Sequence, residues 1–155
     1  MSDTASLVLD AITAGAAVTV AIIANSYAKR QTTLQALGEF TDKIAELHHE
    51  YRSLNGPDEI TLENAELIDQ DKDLSFVVIT TLDRYERFSL AVIERIVDPR
   101  ICKRLVRGVV IGGYSHFRNY ILYTRRDSRY AKAWEDFEAM AISWSDTSLE
   151  WAREG

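Results

Sequence analysis

The feature that most constrains the fold is a nearly uncharged run from Leu7 to Ala28, in which Asp10 is the only charged side chain. At about 1.5 Å per helical residue the run is about 33 Å long, enough to cross a bilayer core of about 30 Å. Many of its residues are alanines, however, so insertion into a bilayer is only marginally favourable. We expect a single membrane-spanning helix here. A helix covered by the core or by an oligomer of a soluble protein is the alternative.

The charges that flank this run predict its orientation. Lys29 and Arg30 follow it directly, whereas Asp3 and Asp10 precede or begin it. Positively charged flanks stay on the cytoplasmic side, so we expect the short N-terminus outside and the remainder of the chain in the cytoplasm. A cleaved signal peptide fits poorly, because its amino end should be basic. The sequence thus predicts an anchor over residues 1–30 in the inner membrane and a cytoplasmic domain over residues 31–155.

Small residues recur at four-residue spacing within the predicted span, a pattern that lets membrane helices approach one another closely. They are Ala11, Gly15 and Thr19. We therefore expect this face to pack against another helix.

A second pattern follows the predicted span without a helix-breaking residue between them. Apolar residues step by three and four along one helical stripe, which predicts a seam that packs within its own bundle or, as the alternative, against a second chain. The seam consists of Leu37, Phe40, Ile44, Leu47, Tyr51 and Leu54. Asn55, Gly56 and Pro57 should end this helix, because Gly tolerates the left-handed cap and Pro cannot continue the hydrogen-bond ladder.

Four further helices are predicted downstream, and no strand pattern occurs. A short helix over Thr61 to Ile68 should precede a long one that is capped by Asp73 and extends to Val97, and Asp98-Pro99 should start another helix that extends to about Tyr123. Glycines near Gly112 predict a kink or a tight helix crossing, and a last helix follows Trp134. The expected core positions are Phe76, Ile79, Leu82, Phe88, Val92, Ile96, Ile101, Leu105, Val109, Phe117, Ile121, Trp134, Phe137, Ala141 and Trp144.

The charge distribution limits the partners that the protein can bind. A formal net charge of −6 disfavours a general nucleic-acid binder, which needs a surplus of Lys and Arg. The middle of the chain is nevertheless basic, and segment 95–107 could face an anionic ligand, a lipid surface or RNA. The candidate residues are Arg100, Lys103, Arg104 and Arg107.

Motifs for catalysis, cofactor binding or metal binding are missing from the sequence. His48 and His49 are adjacent and therefore point to different helix faces, and the HExxH spacing is absent. The stretch "GVVIGGY" lacks the lysine of a phosphate loop. Cys102 is the only cysteine, and a lone thiol is most often a small core residue. We therefore predict no cofactor, no metal, no small-molecule substrate and no enzymatic activity.

Glu86 is the one carboxylate expected close to an apolar helix face. A carboxylate in that position usually needs a cation, which Arg118 or Arg125 on the following helix could supply as a structural ion pair. The competing hypothesis, a hydrolytic enzyme that uses Glu86 with one of these arginines, requires a pocket beside Glu86.

The segment from Leu82 to Trp144 resembles a bacterial and phage family known only as domain of unknown function 4760. The matching residues are Tyr85-Glu86, Val97-Asp98, Arg125 or Arg126, Trp134, and Phe137-Glu138. Many members of that family are similar to this chain in having an N-terminal hydrophobic helix with a basic flank. The resemblance implies a membrane-anchored helical architecture and no particular activity.

Together these observations predict an all-α protein in which one N-terminal transmembrane helix continues into a cytoplasmic bundle of about four helices. We expect a membrane-anchored interaction or accessory-subunit protein with a protein partner or a second copy of itself. The alternative is a soluble or peripheral regulator that binds an anionic ligand through segment 95–107.

Overall fold

The protein is built from α-helices. The computed structural model describes the backbone of residues 2–146 and the side chains of residues 19–146, and no strand occurs in this part of the chain. The helices are α1 (Ser2–Ser53), α2 (Leu62–Gln70), α3 (Lys72–Ile93), α4 (Pro99–Thr124) and α5 (Glu135–Ser145), with a short 3₁₀ turn at Ser128–Tyr130. The all-α prediction is confirmed.

Helix α1 is continuous over 52 residues, which corresponds to about 78 Å. Among the side chains of α1 that the structure describes, from residue 19 onwards, the first buried one is Thr33, and residues 19–32 are all exposed. We call residues 19–32 the arm, because this stretch of α1 extends outside the bundle. The predicted boundary between residues 30 and 31 therefore falls inside a single helix.

The predicted membrane span receives no support from the structure. In the part of the chain that the structure describes, no helix is both long enough and apolar enough to cross a membrane. Residues 7–18 of the predicted span lie outside the part of the chain whose side chains the structure describes. Of the predicted packing residues, Thr19 lies exposed on α1, whereas the side chains of Ala11 and Gly15 lie outside the described residues.

The predicted seam of α1 packs inside its own bundle. Leu37, Phe40, Ile44, Leu47 and Tyr51 are buried, and Leu54 packs against the same core. The ring of Phe40 stacks on Phe88 of α3 at a centroid distance of 4.1 Å and meets the edge of Tyr85 at 5.5 Å. This surface is consequently filled by the chain itself and is not free for a second chain.

The ends of the first helices differ from the prediction in detail. Asn55, not Gly56, adopts the left-handed conformation after α1, with a φ of 58°. A glycine is required at position 56 for a different reason, because the ring of Tyr51 occupies the space that a Cβ atom would need. The Tyr51 hydroxyl donates to the Pro57 carbonyl at 2.8 Å. Helix α3 is capped by Asp71 rather than Asp73. Asp71 accepts from the backbone N–H groups of the first turn.

The helix α4 begins as predicted at the Asp98-Pro99 pair. The Asp98 side chain accepts from the N–H of Arg100 at 2.9 Å, which satisfies one of the unpaired donors at the start of α4. The Asp98 N–H in turn donates to the buried hydroxyl of Thr33 at 2.9 Å. This bond ties the turn between α3 and α4 to α1 at the point where the arm leaves the bundle.

Several expected core residues lie on the surface instead. Phe76 is 69% exposed and Ile96 is 63% exposed, and Leu105 on α4 is 58% exposed. Ile79 and Val109 are also exposed, and Ile101 is half-buried. The apolar residues of α3 and α4 spread over more than one face, so spacing alone did not identify the face that meets the core. The remaining expected positions are buried.

The predicted tight crossing on α4 occurs at Gly113, and α4 runs unbroken through it. The ring of Tyr85 from α3 lies where a Cβ atom of Gly113 would be, whereas Gly112 faces open space. The Tyr85 hydroxyl donates to the Val109 carbonyl at 3.3 Å. A glycine at position 113 therefore lets α3 approach the backbone of α4.

Candidate functional site: the docking of α5 and the adjacent cleft

Glu86 on α3 caps the start of α5. Its Oε2 accepts from the N–H of Phe137 at 2.7 Å, and its Oε1 accepts from the N–H of Asp136 at 3.3 Å. Burial raises the pKa of Glu86 above its ordinary value, although these two donors act in the opposite direction. Because both oxygens already accept backbone N–H groups, Glu86 is a poor candidate for a free catalytic base.

The predicted ion pair between Glu86 and Arg118 or Arg125 was wrong. Arg125 instead donates from Nη1 to Oε2 of Glu138 at 2.5 Å, and its Nε and Nη2 donate to the Ala133 carbonyl at 2.9 and 2.8 Å. Arg118 is exposed. Sequence spacing placed Glu86 near the core face, but the groups that approach that face are backbone amides of α5.

Glu138 completes this arrangement from α5. Its Oε1 accepts from the hydroxyl of Tyr114 at 2.5 Å. Burial alone would raise the pKa of Glu138, but the hydrogen bonds from Tyr114 and Arg125 together have a larger, opposite effect. The pKa of Glu138 is therefore lower than its ordinary value. Glu138 is therefore held as a carboxylate between α4 and α5.

An aromatic stack fixes α5 on α3. The rings of Tyr85 and Phe137 lie 4.4 Å apart at an interplanar angle of 17°. Tyr114 meets the same Phe137 ring edge-on at 5.8 Å. The two polar anchors, Glu86 and Arg125, therefore surround a filled apolar contact.

Trp134 has an unusual backbone conformation directly before α5. Its φ of 57° and ψ of 38° place it in the left-handed region, which a bulky residue rarely adopts. Its indole Nε1 donates to Oδ1 of Asp83 at 2.9 Å. The side chain of Trp134 supplies no cap for α5, and Glu86 from α3 takes this role.

A cleft of about 560 Å³ opens beside this docking site. It lies between the end of α2, the middle of α3, the end of α4 and the loop before α5. Its wall carries three carboxylates, Asp69, Asp83 and Glu86, and three aromatic side chains, Tyr120, Tyr130 and Trp134. This volume is within the range of small-ligand sites.

The sequence offered little to predict this cleft. Asp83 lies one helical turn before Glu86, so a shared helix face could have been inferred. Asp69 and Trp134, by contrast, come from other elements, and only the fold brings them together. A second cleft of about 660 Å³ adjoins the first and contains Arg126, Arg129 and Asp127. Arg129 is paired with Asp127 there at 2.6 Å.

The candidate anion-binding residues are only partly available. Arg100 and Arg104 are exposed, whereas Lys103 and Arg107 are half-buried. The Nε of Arg107 donates to the carbonyl of Trp144 at 2.9 Å, so Arg107 also holds the end of α5 against α4.

The histidines do not form a metal site with other ligands. In the portion of the chain that the structure describes, no group of three His, Cys, Asp or Glu side chains is arranged to hold a metal ion. His48 and His116 instead pack edge-on against Phe117, at centroid distances of 6.1 and 4.6 Å. Cys102 is fully buried, as expected.

Comparison with known protein families supports the resemblance found in the sequence. The family model described as Domain of unknown function (DUF4760) matches residues 4–144. The chain belongs to this family. The match includes most of α1 and thus extends further than the segment that carried the resemblance. No curated protein and no solved structure matches the chain.

The residues that carried the resemblance converge around α5 in this family member. Tyr85 stacks on Phe137, Glu86 accepts from the N–H of Phe137, and Arg125 pairs with Glu138. Asp98 lies apart from them and caps α4.

Proposed function

We propose that the protein is a helical interaction protein, an accessory subunit that assembles with a second copy of itself through the arm of α1. The observation that carries this proposal is the exposure of the arm's large apolar side chains. Val20, Ile22, Ile23 and Tyr27 are 62–66% exposed. Exposed apolar side chains in this number on one helix are typical of a surface that another helix covers.

Four of the exposed side chains of α1 form one continuous strip. Val20, Ile23, Tyr27 and Leu34 follow one another at spacings of three, four and seven residues, which places them on one side of the helix. At the same spacings the strip continues over Gly38, Thr41 and Ala45. We call these seven residues the α1 strip. It lies beside the buried seam and is long enough for the three to four heptads of a coiled coil.

Helix α4 also carries exposed apolar side chains. Leu105 and Val109 lie four residues apart on one side of this helix. Leu105 and Val109 are both exposed, and Gly108 and Gly112 face open space. Small residues of this kind let two helices approach closely. In the proposed parallel two-fold dimer, the α1 strip of one copy packs against the α1 strip of the other.

The magnitudes are consistent with a stable dimer. Full burial of a Val, Ile or Leu side chain contributes about 1.5–3 kcal/mol. Loss of translational and rotational freedom costs roughly 4–15 kcal/mol. The large apolar residues of the strip from two copies can together offset this cost.

The mass of the full-length chain in sedimentation velocity tests the proposal. We expect a dimer for the natural sequence and a monomer for the double variant Ile23→Glu, Tyr27→Glu, with unchanged helical circular dichroism. The matched control is Phe76→Glu, which alters a side chain of α3 that is 69% exposed and should leave the dimer intact. A monomeric natural protein, or equal dissociation by the control, would contradict self-association.

Anchoring of the N-terminal part of α1 in a membrane is the competing form of this proposal, and it is the prediction from the sequence. It rests on residues 7–28 and their basic flank rather than on the fold. Flotation with vesicles of phosphatidylcholine and phosphatidylglycerol, followed by a carbonate wash, distinguishes the two. Vesicle-bound protein that resists the wash and is monomeric in mild detergent would favour the membrane form and overturn the dimer.

A second candidate function is the binding of an anionic surface through segment 95–107. The exposure of Arg100 and Arg104 supports it, although Arg107 is engaged with α5. Binding to anionic vesicles that weakens as salt rises, and that is lost in Arg100→Glu, Arg104→Glu, would support this function. Binding indifferent to salt would remove it. No catalytic step is part of either proposal.

A further inference from the structure

The α1 strip has a gap between Tyr27 and Leu34, which are seven residues apart. Its other members follow one another at spacings of three or four, so one further residue completes this side of the helix within the gap. Arg30 and Gln31 both have the required spacing. Of these two, Gln31 is the one whose side chain bonds to a described strip residue, because its Nε2 donates to the Tyr27 hydroxyl at 3.4 Å. The Gln31 side chain is therefore turned toward the strip.

The apolar residues around Tyr27 are arranged symmetrically about it. Val20 and Leu34 lie seven residues before and after Tyr27, and Ile23 lies four residues before it. The corresponding position four residues after Tyr27 is occupied by Gln31. Two copies of this segment therefore match their apolar residues either in parallel or in antiparallel about Tyr27, and Gln31 is the residue that breaks the symmetry.

The two orientations give Gln31 different partners. In an antiparallel pair centred on Tyr27, each Gln31 lies against Ile23 of the other copy, which covers the amide without offering a hydrogen bond. In a parallel pair in register, each Gln31 lies beside the Gln31 of the other copy, so that one amide donates to the carbonyl oxygen of the other. Covering an unpaired amide is unfavourable. Gln31 therefore disfavours the antiparallel pair.

The side chain of Gln31 has enough donors for both of its contacts. Its amide carries two N–H groups. One of them is used by the Tyr27 hydroxyl of the same chain, and the second is available to the other copy. In coiled coils, a single polar residue within an apolar seam fixes the register and the number of helices, at a cost in stability.

We infer that Gln31 selects the parallel, in-register arrangement of the two copies through a hydrogen bond between their side-chain amides. This inference rests on the proposed self-association through the α1 strip. It adds the residue by which one copy recognises another in a single orientation, a task that the apolar residues of the arm do not accomplish by themselves.

Disulfide exchange between two cysteine variants of the full-length chain measures the orientation. Chains with Val20→Cys and chains with Leu34→Cys are mixed in equal amounts in a glutathione redox buffer, while the native Cys102 stays buried. A parallel dimer in register joins like positions, whereas an antiparallel dimer centred on Tyr27 joins position 20 to position 34. We expect disulfides between like positions to outnumber the mixed disulfide by about tenfold or more.

Two matched substitutions, each made in both cysteine chains, isolate the effect of Gln31. Gln31→Leu should raise the mixed fraction by about fivefold or more, because both orientations then pair apolar side chains only. Gln35→Leu alters an exposed glutamine one turn further along α1, which bonds to Glu39, and should leave the mixed fraction unchanged. Circular dichroism checks that both variants keep their helical content.

The outcomes separate this inference from the proposed function. A natural chain that is monomeric in sedimentation velocity overturns the proposed dimer and the role of Gln31 together. A dimer in which the mixed disulfide predominates, or in which Gln31→Leu leaves the mixed fraction unchanged, overturns the role of Gln31 and leaves self-association standing. An equal rise in Gln35→Leu has the same consequence.

Discussion

The carboxylate of Glu86 on α3 lies 2.7 Å from the backbone nitrogen of Phe137, at the start of α5. The two residues are 51 positions apart in sequence, so this contact joins α3 to α5. It also supplies the cap that Trp134, the residue before α5, does not provide. It also places the wall of the cleft, since Trp134 and Ala133 directly precede α5.

Removal of the Glu86 side chain should destabilise the bundle. Glu86→Ala leaves two N–H groups of α5 without an acceptor, which costs about 1–3 kcal/mol, whereas Glu86→Gln keeps an acceptor oxygen and should cost less. Urea unfolding followed by circular dichroism measures both. Glu94→Ala, which alters an exposed acid at the end of the same helix, is the control. Equal effects of Glu94→Ala and Glu86→Ala would show that the cap is unimportant.

Adjacent glycines of α4 should respond in opposite ways to alanine. Gly113→Ala forces a Cβ atom into the ring of Tyr85 and should lower the free energy of unfolding by about 1–3 kcal/mol. In Gly112→Ala the added Cβ atom faces open space. This substitution should raise the free energy of unfolding by up to about 1 kcal/mol, because alanine has a higher helix propensity than glycine. Thermal unfolding of the two variants gives the comparison. Similar shifts of the same sign would rule out the close crossing of α3 and α4.

The sequence was a good guide to helices and a poor guide to which faces meet. The start of α4 at Asp98-Pro99 was predictable because a cap and a proline act locally. The exposure of Phe76 was not, because α3 has apolar residues on more than one side and only tertiary packing selects between them. The partner of Glu86 was missed for a related reason, since a helical spacing identifies a face and not the backbone that approaches it.

The cleft was beyond sequence reasoning altogether. Its wall needs Asp69 from α2, Tyr120 from α4 and the left-handed Trp134. No local pattern marks a tryptophan for that conformation. By contrast, the burial of the seam from Leu37 to Tyr51 could be predicted from the sequence, because all of its residues lie on one face of one helix.

The stability of the bundle should fall as the pH drops below neutrality. Burial lowers the pKa of His48 below its ordinary value of 6.5, and the nearby charges of His116 and Arg52 lower it further. Burial also lowers the pKa of His116, although Asp58 opposes this shift. The unfolded chain therefore takes up protons first, so this contribution to stability is full above pH 6.5 and is lost as the pH falls through the folded pKa values.

Urea unfolding at several pH values between 8 and 5 measures this dependence. The double variant His48→Gln, His116→Gln should flatten the decline below pH 6.5, and His49→Gln, which alters an exposed neighbour, should not. An unchanged pH dependence in the double variant would assign the decline to other groups.

Cys102 should be unreactive in the folded protein. Its side chain is fully buried in the bundle. Burial raises the pKa of its thiol to about 11, and the charge of Asp98 adds to the shift. Because the thiolate is the reactive species, Ellman's reagent at pH 8 should label Cys102 only after urea is added. Rapid labelling of the native protein would contradict the packing of α4 described above.

Cysteine cross-linking on the arm tests the central claim most directly. Tyr27 belongs to the α1 strip, whereas Ile22 lies on the other side of the helix and is almost equally exposed, 62% against 63%. In a parallel dimer, the variant Tyr27→Cys should form a disulfide between two copies under mild oxidation, and Ile22→Cys should not. Absence of the Tyr27→Cys dimer, or its formation at the same rate in both variants, would contradict assembly through the α1 strip.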